Sequence, residues 1–244
     1  MSAPDIHTVH AIESTFHNAP WAFAREEAPR IAEHWAQLRA GKPALFDGRV
    51  LLVDRWSLEQ RGDRRVLTTR HFATDYSAFL AWRDFGFPDM SVRNCFAAAA
   101  LVSAEGDFVL GRMGAHTANA GQIYFPCGTP DMEDVRGDAV DLAGSVLREL
   151  EEETGLAPHE VACEAGWTLV MDGPRLGCLR AVRAPLSTPA LVARIEAFLH
   201  ADRDPELGGV HVARGVADLT PDMPGFIAAY LRRAFAARGT QPAG

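Results

Sequence analysis

Arg148-Glu149-Leu150-Glu151-Glu152-Glu153-Thr154-Gly155-Leu156 carries four glutamates toward the end of a predicted helix, and the rest of the chain is best read outward from it. Leu142, Ala143, Val146, Leu147 and Leu150 recur at helical spacing, so one face of the segment points into a core. Asp141 suits the N-cap and Gly155 the C′ stop, which places Glu152 and Glu153 in the last turn. Glu149, Glu152 and Glu153 stand at i, i+3 and i+4 and share an adjoining face. The helix dipole is negative at that end, where cations are the favoured occupants. Two carboxylates about 4 Å apart repel by roughly 4 kcal/mol at an effective dielectric near 20. A run of glutamates ordinarily means a solvated face. A helix selected for stability alone avoids this arrangement, and a bound divalent cation removes the objection.

The charge distribution singles out the same segment. The chain has 244 residues, 48% of them apolar, and a formal net charge of −8. Residues 131–160 hold ten acids and two bases, so this stretch accounts for the whole net charge and the remainder is formally neutral. No compensating basic stripe is left for a nucleic-acid polymer. A polyanionic substrate would approach the acidic segment only after cations had occupied it. The size allows one large core, or a core with a smaller module. Cys95, Cys127, Cys163 and Cys178 form no C-x-x-C pair, which fits four unlinked thiols in a reducing compartment. The first residues lack a basic and an apolar region of a signal peptide, and the longest apolar run, around Phe96 to Val102, is too short for a bilayer. A cytoplasmic protein without a membrane anchor is the expectation, with a homodimer left open.

Periodicity organises the chain into an N-terminal part over residues 1–92 and a second part over 93–240. The first reads as a helix from Trp21 to Ala40, a hairpin of Val50–Trp56 and Arg65–Thr69, and a helix from Tyr76 to Phe85. Its four tryptophans, Trp21, Trp35, Trp56 and Trp82, suit either core packing or an aromatic platform over a substrate. The second part begins with a hairpin of Ala97–Ser103 and Phe108–Leu110, followed by a strand over Gln122–Phe125 and the acidic helix. A hairpin of Trp167–Met171 and Leu176–Val182, a helix over Pro189–His200, a strand at Val210–Val212 and a helix over Gly225–Ala237 complete it. Strands on either side of a central helix, with two further helices, suit an α/β (α+β) layered domain.

The acidic string matches, position by position, the second half of the Nudix box, Arg-Glu-apolar-any-Glu-Glu-any-Gly-apolar. The preceding Ile123-Tyr124-Phe125-Pro126-Cys127-Gly128-Thr129-Pro130 resembles that family's strand running into its glycine loop. The chain thus resembles a Nudix hydrolase over about residues 93–240. The resemblance implies an α/β/α sandwich with a mixed sheet, here preceded by an N-terminal α/β extension. One departure stands out. Where the family has a glycine fourteen residues before the arginine and a glutamate eight before it, this chain has Asp134 and Val140. Gly128 lies twenty before Arg148, which reads as a six-residue insertion within Asp131 to Asp138. The acid that orients Arg148 is then expected at Asp138 or Asp141.

The resemblance implies hydrolysis of a pyrophosphate bond in a small nucleoside diphosphate derivative, such as a nucleotide sugar, an ADP-ribose-like molecule or a dinucleotide. The residues reach the same class independently. Clustered carboxylates are hard oxygen ligands for Mg²⁺ or Mn²⁺, and such ions align a pyrophosphate and activate water. Glu149, Glu152 and Glu153 are the expected metal ligands, with Glu152 and Glu153 essential, Arg148 orienting them, and the carbonyl of Cys127 or Gly128 completing the coordination. The loop from Gly111 to Gly121 offers Arg112, His116 and Asn119 for substrate, or is only a wide turn. Glu206 offers a further acid, and His211 reads as structural. No serine triad, P-loop, Rossmann or EF-hand pattern competes. The alternative of another class is a Nudix-like module that binds a nucleotide as a sensor without turnover.

Overall fold

A computed structural model describes residues 3–239 of the chain. Two strands open it, β1 (Asp5–Val9) and β2 (Ala11–Phe16). The helix expected from Trp21 to Ala40 is broken into α1 (Ala22–Glu26) and α2 (Ala28–Gly41). Pro29 lies in the first turn of α2 and has no N–H to continue the first helix, which is why the segment divides there. β3 (Arg49–Arg61) and β4 (Arg64–Asp75) form the expected hairpin, longer than the alternation suggested, and α3 (Tyr76–Asp84) follows.

The second part runs through β5 (Asn94–Val102), β6 (Phe108–Met113), β7 (Ile123–Tyr124) and β8 (Cys127–Gly128). The insertion after Gly128 folds into a short 3-10 turn and a miniature hairpin, β9 (Val135–Arg136) and β10 (Ala139–Val140), ahead of α4 (Leu142–Thr154). Then come β11 (Ala162–Cys163), β12 (Trp167–Asp172), β13 (Arg175–Arg183), α5 (Thr188–Ala201), β14 (Leu207–Ala213) and α6 (Gly225–Gly239).

Among the described residues these strands form two sheets. The larger follows the order β1-β12-β13-β5-β6-β14, with β7, β8 and β11 alongside, and is mixed because β13 and β5 are parallel while its other pairs are antiparallel. The hairpin expected between β5 and β6 touches in register only at Val102 and Phe108, because β5 pairs along its length with β13 and takes β8 on its other side. Helices cover both faces. Phe96 of β5 meets Phe226 of α6 at 5.1 Å between ring centroids. Leu101, on the opposite face, shares a small interior gap with Thr154 of α4 and Ile195 of α5. Ala97, Ala98, Ala99 and Ala100 are fully buried between these layers, where small side chains admit both helical layers. The fold is thus a mixed α+β structure with an α/β/α sandwich at its centre.

The smaller sheet has the order β3-β4-β2-β10-β9. Two strand pairings cross the expected boundary between residues 1–92 and 93–240, β1 with β12 and β10 with β2 through Ala139 and Thr15, and the isolated bridges Val50–Asp131 and Val53–Arg93 cross it as well. The insertion in the acidic loop is therefore a sheet extension that ties the loop to the N-terminal part. Trp21 and Trp82 are buried with Phe23, Phe72 and Phe79 in a second apolar core, and both indole N–H groups donate to Asp89. Those two tryptophans are core residues, not a platform for a base. Among the described residues, no helix is long and apolar enough to cross a membrane.

Gly155 ends α4 in the left-handed region at φ 71°, and a β-carbon there would stand 2.5 Å from the Phe198 ring of α5. Gly155→Ala combines a left-handed penalty of about 1–2 kcal/mol with overpacking of about 1–3 kcal/mol. The expected outcome is a melting temperature lower by roughly 5–10 °C, read by calorimetry.

Candidate active site

The acidic helix owes its position to local rules. Asp141 caps it by accepting from the Gly144 amide at 2.8 Å, and Leu142, Val146 and Leu150 turn their side chains into the main core. The three glutamates then meet different surroundings. Glu153 is only 4% exposed, and its Oε1 accepts from the Cys127 amide at 3.0 Å, while its Oε2 is buried without a hydrogen-bond partner. Glu149 lies against Gly128, where a β-carbon would collide with its carboxylate, so the glycine loop makes room for that acid. Glu152 is largely exposed and reaches the Arg148 guanidinium at 3.3 Å.

Arg148 organises the cluster, and the acid that holds it is Asp134. Its Nη2 donates to both Asp134 oxygens, at 3.0 and 3.2 Å, and its Nη1 lies 3.0 Å from Glu149. The expectation of Asp138 or Asp141 is corrected accordingly. Asp141 is used as the helix cap, and Asp138 is exposed in the miniature hairpin. Asp134 is 3% exposed and receives the Asp131 amide, so the insertion itself buries the partner of Arg148. Burial opposes the Arg148 charge, but Glu149, Asp134 and Glu152 outweigh it and hold the guanidinium firmly protonated.

The carboxyl groups show the frustration expected of crowded acids. Burial pushes Glu149 up to about 7, with Arg148 opposing and Glu152, Glu206 and Asp134 adding to the rise. Burial likewise drives Glu153 well above the usual carboxylate range, followed by the charges of Glu206 and Glu149. Glu206 precedes β14 and is partly open to solvent by area, but the chain packed around its carboxyl raises its pKa, with Glu152 adding and His116 opposing. The Cys127 thiol is raised by burial and by Glu153, Glu149 and Glu206 in turn. Four acids therefore sense one another around the start of the glycine loop.

The other sequence candidates separate. Asn119 accepts from Arg83 of α3 at 3.2 Å and donates to the Tyr124 hydroxyl at 3.2 Å, which places it beside the strand leading to Cys127. His116 stands 3.8 Å from Asp204 and packs against Gly114, whose amide donates to the Glu206 carbonyl. Arg112 is occupied elsewhere, on Asp222 and the Gly121 carbonyl, each at 3.1 Å. His211 bonds the Asp218 carbonyl at 3.0 Å, a structural role. Tyr76 and Arg83 were not legible as site residues, since nothing local in α3 signals that it faces another part of the chain.

The residues suit a divalent cation in their chemistry. They supply hard oxygens, an orphaned buried Oε2 and a glycine-made recess beside Glu149. In the present rotamers, no three acidic, histidine or cysteine side chains among the described residues are gathered closely enough to hold one ion. Arg148 stands between Glu149 and Glu152, so those two carboxylates would swing toward an ion, while Glu153 is held at one oxygen by the Cys127 amide.

A mixed sheet between helices, with an acidic helix end set against a glycine loop, defines the structural class. No family model matches the chain, and no curated protein matches it. Solved structures similar to it include the Nudix hydrolase RenU from M. smegmatis, 18% identical with a TM-score of 0.40, covering 62% of this chain and 89% of that one. The MutT protein from Methanosarcina mazei Go1 is 15% identical with a TM-score of 0.39, covering 61% and 96%. The Nudix domain of Shewanella oneidensis NrtR, solved with ADP ribose, is 19% identical with a TM-score of 0.38, covering 61% and 89%. At this distance the functional reading stands on the residues and their geometry.

Proposed function

We propose that this chain is a Nudix-type hydrolase that uses Mg²⁺ or Mn²⁺ to cut the pyrophosphate bond of a small nucleoside diphosphate derivative in the cytoplasm. The observation that carries the reading is the buried, unpartnered Oε2 of Glu153 beside Glu149 and the Gly128 recess. A buried carboxylate oxygen without a donor costs several kcal/mol by general estimates, and a cation supplies what the chain does not. Glu149, Glu152 and Glu153 would hold the metal, with Glu206 and the carbonyl of Cys127 or Gly128 as further oxygen donors. When bound, the ion neutralises the pyrophosphate and lowers the pKa of a coordinated water.

The chain's own residues do the rest. Arg148, clamped by Asp134, is a positioning residue that fixes the Glu149 and Glu152 carboxylates. Glu153 is held at one oxygen by the Cys127 amide, leaving the other to face the site. One of the site carboxylates takes the proton of the attacking water as it adds to phosphorus, and the P–O bond of the bridging oxygen breaks in line. Asn119 and His116 contact the nucleotide, whereas Arg112 is proposed only for the outer rim because Asp222 already engages it. Residues 1–92 act as an extension that walls the site, and 93–240 as the hydrolytic domain. The absence of a basic stripe in the sequence supports a small-molecule partner over a nucleic-acid polymer.

The test is a panel of nucleotide sugars, ADP-ribose and dinucleotides offered with millimolar Mg²⁺ and assayed for a nucleoside monophosphate. Turnover of at least one compound, abolished by EDTA, is expected. Saturable nucleotide binding without product from any of them replaces the hydrolase reading with the sensor.

A further inference from the structure

Beyond the acidic cluster, the structure places two arginines from different parts of the fold on one region next to it. Arg83 projects from α3 and donates to Asn119, which in turn donates to the Tyr124 hydroxyl. Arg83 also pairs with its chain neighbour Asp84 at 2.7 Å. Tyr76, at the start of the same helix, has its hydroxyl raised by burial, while Arg83 opposes and Glu206 adds to the rise. One α3 side chain thus lies within reach of both the basic and the acidic charges. Arg175 opens β13 across from Asn94, and among the described residues no carboxylate lies within ion-pair distance of it. Burial weakens its charged form, Asp172 offsets part of that, and Arg83 opposes it again.

The local backbone is adapted to this arrangement. Phe87 is the one non-glycine residue with positive φ among those described, at 61°. Its amide donates to the Trp82 carbonyl at 2.8 Å, and its ring stands edge-on to Trp82 at 4.7 Å with the Arg175 guanidinium 5.3 Å above it. A bulky side chain in that conformation is strained, and such strain persists where surrounding structure requires a particular placement. Here it sets an aromatic face under Arg175. Arg175 lies over Phe87, Phe87 packs on Trp82, and Arg83 follows Trp82 in α3. Two guanidiniums in one region, one of them half-buried and without a carboxylate, are unfavourable by themselves and favourable around a phosphate, whose oxygens match their paired N–H groups.

We propose that Arg83 and Arg175, adjoining Asn119 and Tyr76, form a subsite for a phosphate group that the substrate carries beyond the pyrophosphate being cut. This selects dinucleotide-like substrates bearing an extra phosphate over those without it, and it rests on the hydrolase reading for its catalytic consequence but not for the binding itself.

The two parts are tested separately. Inorganic pyrophosphate is titrated calorimetrically into the full chain in EDTA, where the metal-free acidic cluster repels it and the basic pair can hold it. Saturable binding at one site is expected, weakened about tenfold or more by Arg175→Ala and by Arg83→Gln, the usual size for lost charge-assisted hydrogen bonds. Arg64→Ala, an exposed hairpin residue, is expected to bind as wild type does. No binding by the wild type, or an equal loss in Arg64→Ala, overturns the subsite. Arg175→Lys guards against a folding artefact, since it keeps the charge and is expected to bind with intermediate strength. In the turnover assay, NADPH and NADH differ by one phosphate. The KM for NADPH is expected to be about tenfold below that for NADH, with the difference erased in Arg175→Ala and kcat within about threefold. Equal KM values in the wild type count against the subsite even if both compounds are cut. Pyrophosphate binding that follows the pattern above, without turnover of any nucleotide, leaves the subsite standing and removes the hydrolase reading.

Discussion

Glu153→Gln is expected to lower kcat for Mg²⁺-dependent turnover by about 10²–10³-fold while leaving the fold in place, the range typical for losing a principal electrostatic contribution to the transition state. The substitution is nearly isosteric. Its carbonyl oxygen can still accept from the Cys127 amide, now bonded to Glu153 Oε1 at 3.0 Å, so the glycine loop keeps its anchor. What disappears is the charge at the buried oxygen that has no partner. Glu152→Gln makes an instructive comparison, because Glu152 is 59% exposed at its side chain and pairs with Arg148. A loss of more than about 10²-fold is expected there as well if the exposed acid holds a metal. Steady-state kinetics on both variants decides the matter. Wild-type rates in Glu153→Gln would remove the acidic helix end from the mechanism.

What could be read in advance follows from the range of the forces involved. The helix, its Asp141 cap, its Gly155 stop and the shared face of Glu149, Glu152 and Glu153 are set by contacts within a few residues, and the sequence displays them. The partner of Arg148 is different. Asp134 lies fourteen residues away along the chain, and the insertion that buries it is held by pairing with β2, near the N-terminus. A two-residue strand has no periodicity to detect, so Asp138 and Asp141 were equally plausible partners until the pairing was seen. β1 also escaped notice: it is a short strand whose pairing partner β12 begins only at Trp167. Glu206 was named in advance as a further acid, but nothing in the sequence said which side chains it would meet. Its approach to Glu152 and Glu153 is a tertiary fact, as is the approach of Arg83 to Asn119. The strain at Phe87 has no sequence signature at all, since glycine would be the expected occupant of a positive φ.

Metal-free protein is expected to lose stability as pH rises, and divalent cations to restore it. Glu149 is raised from 4.5 to about 7 by burial, and burial raises Glu153 well above its usual value in the same direction. The native state therefore holds protons that the unfolded chain has released between those values. Stability is fully present below the unfolded value and declines as pH passes upward through the folded one. In EDTA, the melting temperature should fall between about pH 4.5 and 7.5, and Glu153→Gln should flatten that decline because its amide carries no proton to lose. Ions compete with those protons, so the gain from Mn²⁺ should grow with pH over the same window. At about a hundredfold excess over the dissociation constant, binding contributes about 2.7 kcal/mol, which for a chain of this size corresponds to roughly 5–10 °C. Calorimetry with and without Mn²⁺ at pH 5.5 and 7.5 tests both statements on one sample. A melting temperature that climbs with pH in EDTA, or an equal Mn²⁺ gain in wild type and Glu153→Gln, would mean that the acids at the end of α4 are ordinary solvated charges.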